Sequence, residues 1–146
     1  MPTTGESIEI NATPEQVMAV LVDHTSYPDF LPHIRAVDVE VLGDGDWRVA
    51  YTTRVIRDLQ YTLRLVQDGN RSLSWTLVDE GVFLKNSGAW TLTPLEGGRT
   101  RAHHALDITL AVFLPHNIAR SLMERALPET LARFRDEVHR RVRPSC

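Results

Sequence analysis

Cysteine occurs once in this 146-residue chain, at the last position, Cys146. That excludes a disulfide framework and any paired-cysteine metal or redox motif, and a thiol at a fraying end is a poor nucleophile. No apolar run approaches the ~20 residues that span a bilayer, and the first residues, MPTTGESIEINATPEQ, lack a basic stretch followed by an apolar core. The expectation is a soluble, cytoplasmic protein, with a peripheral position at a membrane as the alternative. There is no GxSxG elbow, no glycine-rich phosphate loop and no HExxH spacing. The six histidines do not form a ligand set either. His24 and His33 flank a turn, His103 and His104 alternate along one strand, and His116 and His139 lie far apart on one helix. Neither a metal nor a cofactor is expected.

Excess positive charge is also lacking. A net charge of −3 and a pI near 6.0 argue against a general nucleic-acid footprint, and DNA is not an expected partner. The segment Pro115 to Arg143 departs from this, with seven arginines against Glu124, Glu129, Asp136 and Glu137. A solvated helix face is one meaning. Contact with an anionic membrane surface or ribosomal RNA is the other. With 42% hydrophobic and 24% charged residues, the composition suits one globular domain over 1–146.

The same segment is the longest helix-compatible run. Ile118, Ala119, Leu122, Met123 and Ala126 form one apolar stripe, and Leu127, Leu131, Phe134 and Val138 form a second, rotated one. The phase changes at Pro128, which predicts a kink or break that lets the two halves face different surfaces; either both simply pack, or the first half lids a cavity while the second seals the core. Near the other end of the chain, Ser7 to Ile10 alternates as a strand. Thr13, Pro14 and Gln16 then spell a helix start with a capping box, and Val17, Val20 and Leu21 share a face. Between Pro28 and Pro32 there is room for a single helical turn, whose large residues Tyr27, Phe30 and Leu31 must be buried nearby.

From His33 onward the period becomes two. Strands are predicted at 34–43, 46–57, 59–67, 71–79, 83–95 and 98–110, separated by short turns rich in glycine and aspartate. Connections this short require an antiparallel meander, and the first strand makes seven. Alternation turns inward Trp47, Val49, Tyr51, Thr53 and Val55; Leu59, Tyr61, Leu63 and Leu65; Leu73, Trp75 and Leu77; Leu84, Trp90 and Leu92; and Ala102, Leu106, Ile108 and Leu110. Arg48, Arg54, Gln60, Arg64, Ser74, Arg101 and His103 turn outward. The polar residues in the inward phase are Tyr51, Asp79, Asn86 and His104. Each has a structural reading, as a satisfied core residue, a rim hydroxyl or an exposed turn. Together they also suit an apolar pocket with a few orienting groups.

The order of strand, two short helices, six-stranded meander and long final helix resembles the helix-grip fold. Residues Ile8 to Pro32 (IEINATPEQVMAVLVDHTSYPDFLP), Gly81 to Trp90 and Phe113 to Phe134 resemble the START-like superfamily of polyketide cyclases and lipid-transfer proteins. The likeness is strongest to its coenzyme Q-binding and ribosome-association-toxin branch, with Val82 where that branch more often has proline. The resemblance implies an α+β helix-grip fold, a seven-stranded curved antiparallel sheet wrapped around a long C-terminal helix. It further implies a cavity between sheet and helix for a quinone, lipid or polyketide-like molecule. Tyr51, Tyr61, Trp75, Asn86, Trp90, His104, Leu122 and Met123 are the candidate ligand contacts. The expected function is carriage of that molecule. A cofactor-independent cyclase using His104 with Tyr51 or Asp79 is the catalytic alternative, and an interaction protein using the final helix is another.

Overall fold

The computed structural model describes residues 3–54, 58–78, 83–110 and 127–142. Strand β1 (Thr3–Ile10) is followed by helix α1 (Pro14–Leu21), a 3₁₀ turn (His24–Ser26) and the one-turn helix α2 (Tyr27–Phe30). Six strands come next: β2 (Ile34–Gly43), β3 (Asp46–Arg54), β4 (Asp58–Asp68), β5 (Ser72–Leu77), β6 (Phe83–Leu95) and β7 (Arg99–Leu110). Helix α3 (Leu127–Val142) follows them. All pairings are antiparallel in the order β1-β7-β6-β5-β4-β3-β2, so consecutive strands are neighbours and β1 joins beside the last one. This is the helix-grip arrangement that the sequence resemblance implied.

The local reasons are those of the sequence. Thr13 accepts the Gln16 N–H, while the Gln16 side chain accepts the Thr13 N–H, closing the capping box at α1. At the β6–β7 turn Gly97 and Gly98 take φ of 76° and 71°, a left-handed pair that side chains resist. Strand β1 is longer than the alternation of Ser7 to Ile10 suggested. Thr3 to Glu6 has no apolar phase to read, and it is extended by pairing with His104 to Asp107 on β7.

The core lies between the inner sheet face and the helices. Val17, Met18, Val20 and Leu21 of α1 and Leu131, Phe134 and Val138 of α3 are all buried there. The second apolar stripe of the final helix therefore seals the core as expected. The first stripe, from Ile118 to Ala126, lies outside the described residues, as does the segment that a kink at Pro128, in the first turn of α3, would set at an angle to the helix.

Among the described residues one inward assignment is overturned, while the side chains of Val55, Leu59 and Leu110 lie outside the description. Leu84 is 61% exposed, although it shares sequence parity with the buried Trp90 and Leu92. The cause is a bulge: Phe83 pairs with Leu110 but Lys85 with Thr109, so Leu84 is an extra residue in β6 and alternation restarts after it.

Candidate functional site

Two aromatic clusters occupy the inner face. In the first, Tyr51 of β3 and Tyr61 of β4 are cross-strand partners with rings stacked 5.3 Å apart, and Tyr51 also stacks on Tyr27. The Tyr27 hydroxyl donates to the Leu21 carbonyl at 2.5 Å, tying α2 to the end of α1. Burial pushes the Tyr51 and Tyr61 phenols well above their usual range, so both are neutral hydrogen-bonding groups.

The second cluster spans β5 to β7. Trp90 and His104 are cross-strand partners, with rings 4.8 Å apart and edge-on. Trp75 of β5 reaches across β6 to the same His104 ring, at 5.4 Å. Its position follows from Gly88, its partner on β6: a Cβ there would lie 2.6 Å from the Trp75 ring and 2.2 Å from the Ala105 carbonyl oxygen. The missing side chain is the space the indole uses. The Trp75 Nε1–H donates to the buried Asn86 Oδ1 at 3.2 Å. Asn86 thus fixes an indole through its carboxamide oxygen.

His104 is half-buried, and its ring has no hydrogen-bond partner among the described residues. Burial is the main cause that lowers its pKa to about 4, with the neighbouring His103 adding to it. It is a neutral imidazole in contact with two indoles at physiological pH. No hydrogen bond joins it to Tyr51 among the described residues. Of the other sequence candidates, Asp79, Leu122 and Met123 lie outside the described residues.

Phe134 of α3 joins the two clusters, meeting Tyr27, Phe30 and Trp90 each at 5.3 Å. The sequence marked it as core without indicating this role. His24 was missed altogether. It is 2% exposed, edge-on to Tyr27 and Trp47, and neither ring nitrogen has a hydrogen-bond partner among the described residues. Burial lowers its pKa to about 4 against an opposing pull from Asp23. Nothing in the polar run Asp23 to Ser26 signals this.

The outer face of α3 is largely self-neutralised. Arg133 pairs with Glu129, Arg135 with Asp136, and Arg140 and Arg141 with the buried Glu137. Arg141 also reaches Asp23 at 3.0 Å, joining the helix to the 3₁₀ turn. Among the described residues no three His, Cys, Asp or Glu side chains cluster to hold a metal, and no helix is long and apolar enough to cross a membrane.

Residues 1–139 match the model of a family described as polyketide cyclase / dehydrase and lipid transport. No curated protein is significantly similar in sequence. Among solved structures, the chain is similar to the Zhui aromatase/cyclase of Streptomyces sp. R1128, with a TM-score of 0.86 at 20% identity over 97% of this chain and 96% of that one. A START superfamily protein from Mycobacterium smegmatis gives a TM-score of 0.82 at 16% identity, covering 96% and 99%. A STAR-related lipid transfer protein from Xanthomonas axonopodis gives 0.75 at 13% identity, covering 94% and 85%. At these identities the likeness is one of fold.

Proposed function

Starting from the polyketide cyclase/dehydrase and lipid-transport family, to which this chain belongs, we propose that it binds and carries a hydrophobic small molecule, with a quinone, lipid or polyketide-like ring system as the cargo class. The observation that carries this reading is the contact of His104 with both the Trp75 and Trp90 rings, with Asn86 hydrogen-bonded to the Trp75 indole. Two indoles offer apolar area at little entropic cost, while the neutral imidazole and the carboxamide supply the few polar contacts that orient a ligand. In this reading Tyr51 and Tyr61 extend the apolar lining.

The reading is tested by native mass spectrometry of gently purified protein, followed by organic extraction. A bound lipid or quinone is expected, or uptake of an added one. An empty protein that takes up neither overturns it.

The catalytic alternative is a cyclase in which His104 moves a proton next to a ligand carbonyl. Family membership and the aromatase/cyclase fold neighbour favour it. A histidine with a pKa near 4 is a weak base at neutral pH, which favours carriage. Unchanged turnover of a demonstrated polyketide substrate by His104→Ala would remove this alternative. A docking role for the α3 arginines on RNA or an anionic membrane is less favoured, because Arg133, Arg140 and Arg141 already face carboxylates.

A further inference from the structure

The ladder between β5 and β6 stops short of the strands that form it. Its last pair is Trp75–Gly88, yet β5 continues to Leu77 and β6 begins at Phe83. Had the register continued, Thr76 would face Ser87 and Leu77 would face Asn86. Instead these residues line an opening of about 380 Å³, with Leu84 and Lys85 at its rim.

The lining comes from both faces of the sheet. Asn86 is buried on the inner side, hydrogen-bonded to the indole of the proposed ligand site. Thr76 and Lys85 are exposed on the outer side, where Lys85 pairs with Asp107 at 2.6 Å. Asn86 and Leu77 therefore border the opening from the inner-facing phase of the strands, and Thr76, Lys85 and Ser87 from the outer-facing phase. Its walls offer hydroxyl, carboxamide and parted strand edges beside the apolar Leu77. The bulge at Leu84 contributes by turning that side chain out to solvent instead of into the inner face.

We propose that this opening passes between the parted strands as a slit and forms a second arm of the ligand site, through which an elongated amphiphile extends a hydrogen-bonding arm from the Trp75–His104–Trp90 cluster to the outer face of the sheet. The inference rests on the carrier reading and narrows its cargo to long molecules with a polar arm. A compact apolar molecule would use the indoles alone. An elongated one would meet Asn86, then Thr76 and Ser87, and emerge beside Lys85.

The test closes the slit reversibly. Thr76→Cys and Ser87→Cys, with Cys146→Ser to remove the native thiol, place two thiols at positions that become cross-strand partners when the strands zip together. The probes are cis-parinaric acid as the elongated amphiphile and 1-aminoanthracene as the compact one. The reduced protein is expected to bind both as the wild type does. The oxidised protein should bind cis-parinaric acid at least tenfold more weakly while keeping 1-aminoanthracene within threefold, and reduction should restore the loss. Equal binding in the two redox states, or equal loss of both probes, overturns the slit and leaves the carrier reading standing. A wild type that binds neither probe overturns both. Should the disulfide not form, Ser87→Trp fills the same space and must show the same selectivity. In the wild type, cis-parinaric acid should also shift the backbone amide resonances of Thr76, Asn86 and Ser87, and unmoved resonances count against the slit.

Discussion

The Phe134 ring meets the Trp90 indole edge-on, 5.3 Å between centroids and 71° between planes, so the final helix touches the sheet at the same indole that contacts His104. Position of the helix and shape of the ligand surface are set together by this contact. Phe134 also meets Tyr27 and Phe30, which places the one-turn helix α2 in the same unit.

Phe134→Ala is expected to destabilise the protein by about 3–5 kcal/mol, the range for emptying a buried phenylalanine site. Phe134→Leu should cost less than half of that. Denaturant midpoints measure both. Trp90 fluorescence should change in the alanine variant before global unfolding, since that indole loses its neighbour.

Acid should weaken the fold through its buried imidazoles. The pKa values of His24 and His104 are lowered from 6.5 to about 4, so as pH falls the unfolded chain takes up these protons first. Their contribution is fully present above about pH 6.5 and is lost progressively as pH falls toward 4. For His24 alone the loss is on the order of 3 kcal/mol. His24→Phe keeps a ring between Tyr27 and Trp47 and should stay within about 1.5 kcal/mol of wild type at pH 7.5. It should flatten the slope between pH 6.5 and 4 without abolishing it, because His104 and His33 still titrate. Urea midpoints across that range decide the matter, and an unchanged slope would show that His24 is not a source of it.

Gly88→Ala should be destabilising by about 1–3 kcal/mol, the usual penalty for overpacking. The new methyl meets the Ala105 carbonyl, a backbone group, and the Trp75 indole, which is hydrogen-bonded to Asn86. Loss of near-ultraviolet circular dichroism from Trp75 would accompany it.

Glu137 is a buried carboxylate held down to about pKa 2, chiefly by its hydrogen bond from Arg140, with Arg141 adding to the effect. Its folded pKa is depressed, so its stabilisation is present above about pH 4.5 and is lost as pH falls toward 2. Glu137→Gln should cost about 1–3 kcal/mol at neutral pH, as expected when charged partners lose a buried hydrogen-bonding mate. The variant should also loosen the Arg141 link to Asp23, seen as faster amide exchange in the 3₁₀ turn.

Most of the fold was legible because its signals are local. The capping box at Thr13 and Gln16, the proline-limited turn at Tyr27 to Pro32 and the glycine turns each act within a few residues. Strand ends agree with the alternation to within a few residues. Leu84 failed because parity was carried back from Trp90 across a bulge that alternation cannot register. His24 failed because its burial comes from Trp47, a residue on another strand, while its own neighbours are polar. Inward-facing Trp75, Asn86, Trp90 and His104 were identified from periodicity. Their mutual contacts were not, because Gly88 creates the space for them and periodicity is blind to a missing side chain. The parting of β5 from β6 was equally invisible, since alternation reports which residues are extended and not which are paired.

The place of β1 beside β7 has a consequence in time. Every other neighbouring pair is a hairpin that can close as soon as its second strand is synthesised, whereas Ile10 must wait for Thr100 and Thr3 for Asp107. Throughout most of translation the first strand has no partner, and α1 carries an apolar face without its final cover from α3. Closing so long a loop is entropically slow compared with hairpin formation, so β1 is the last strand to dock. During that interval the nascent chain carries an open β edge and an uncovered apolar helix, and holding these away from other chains is a task for its surroundings.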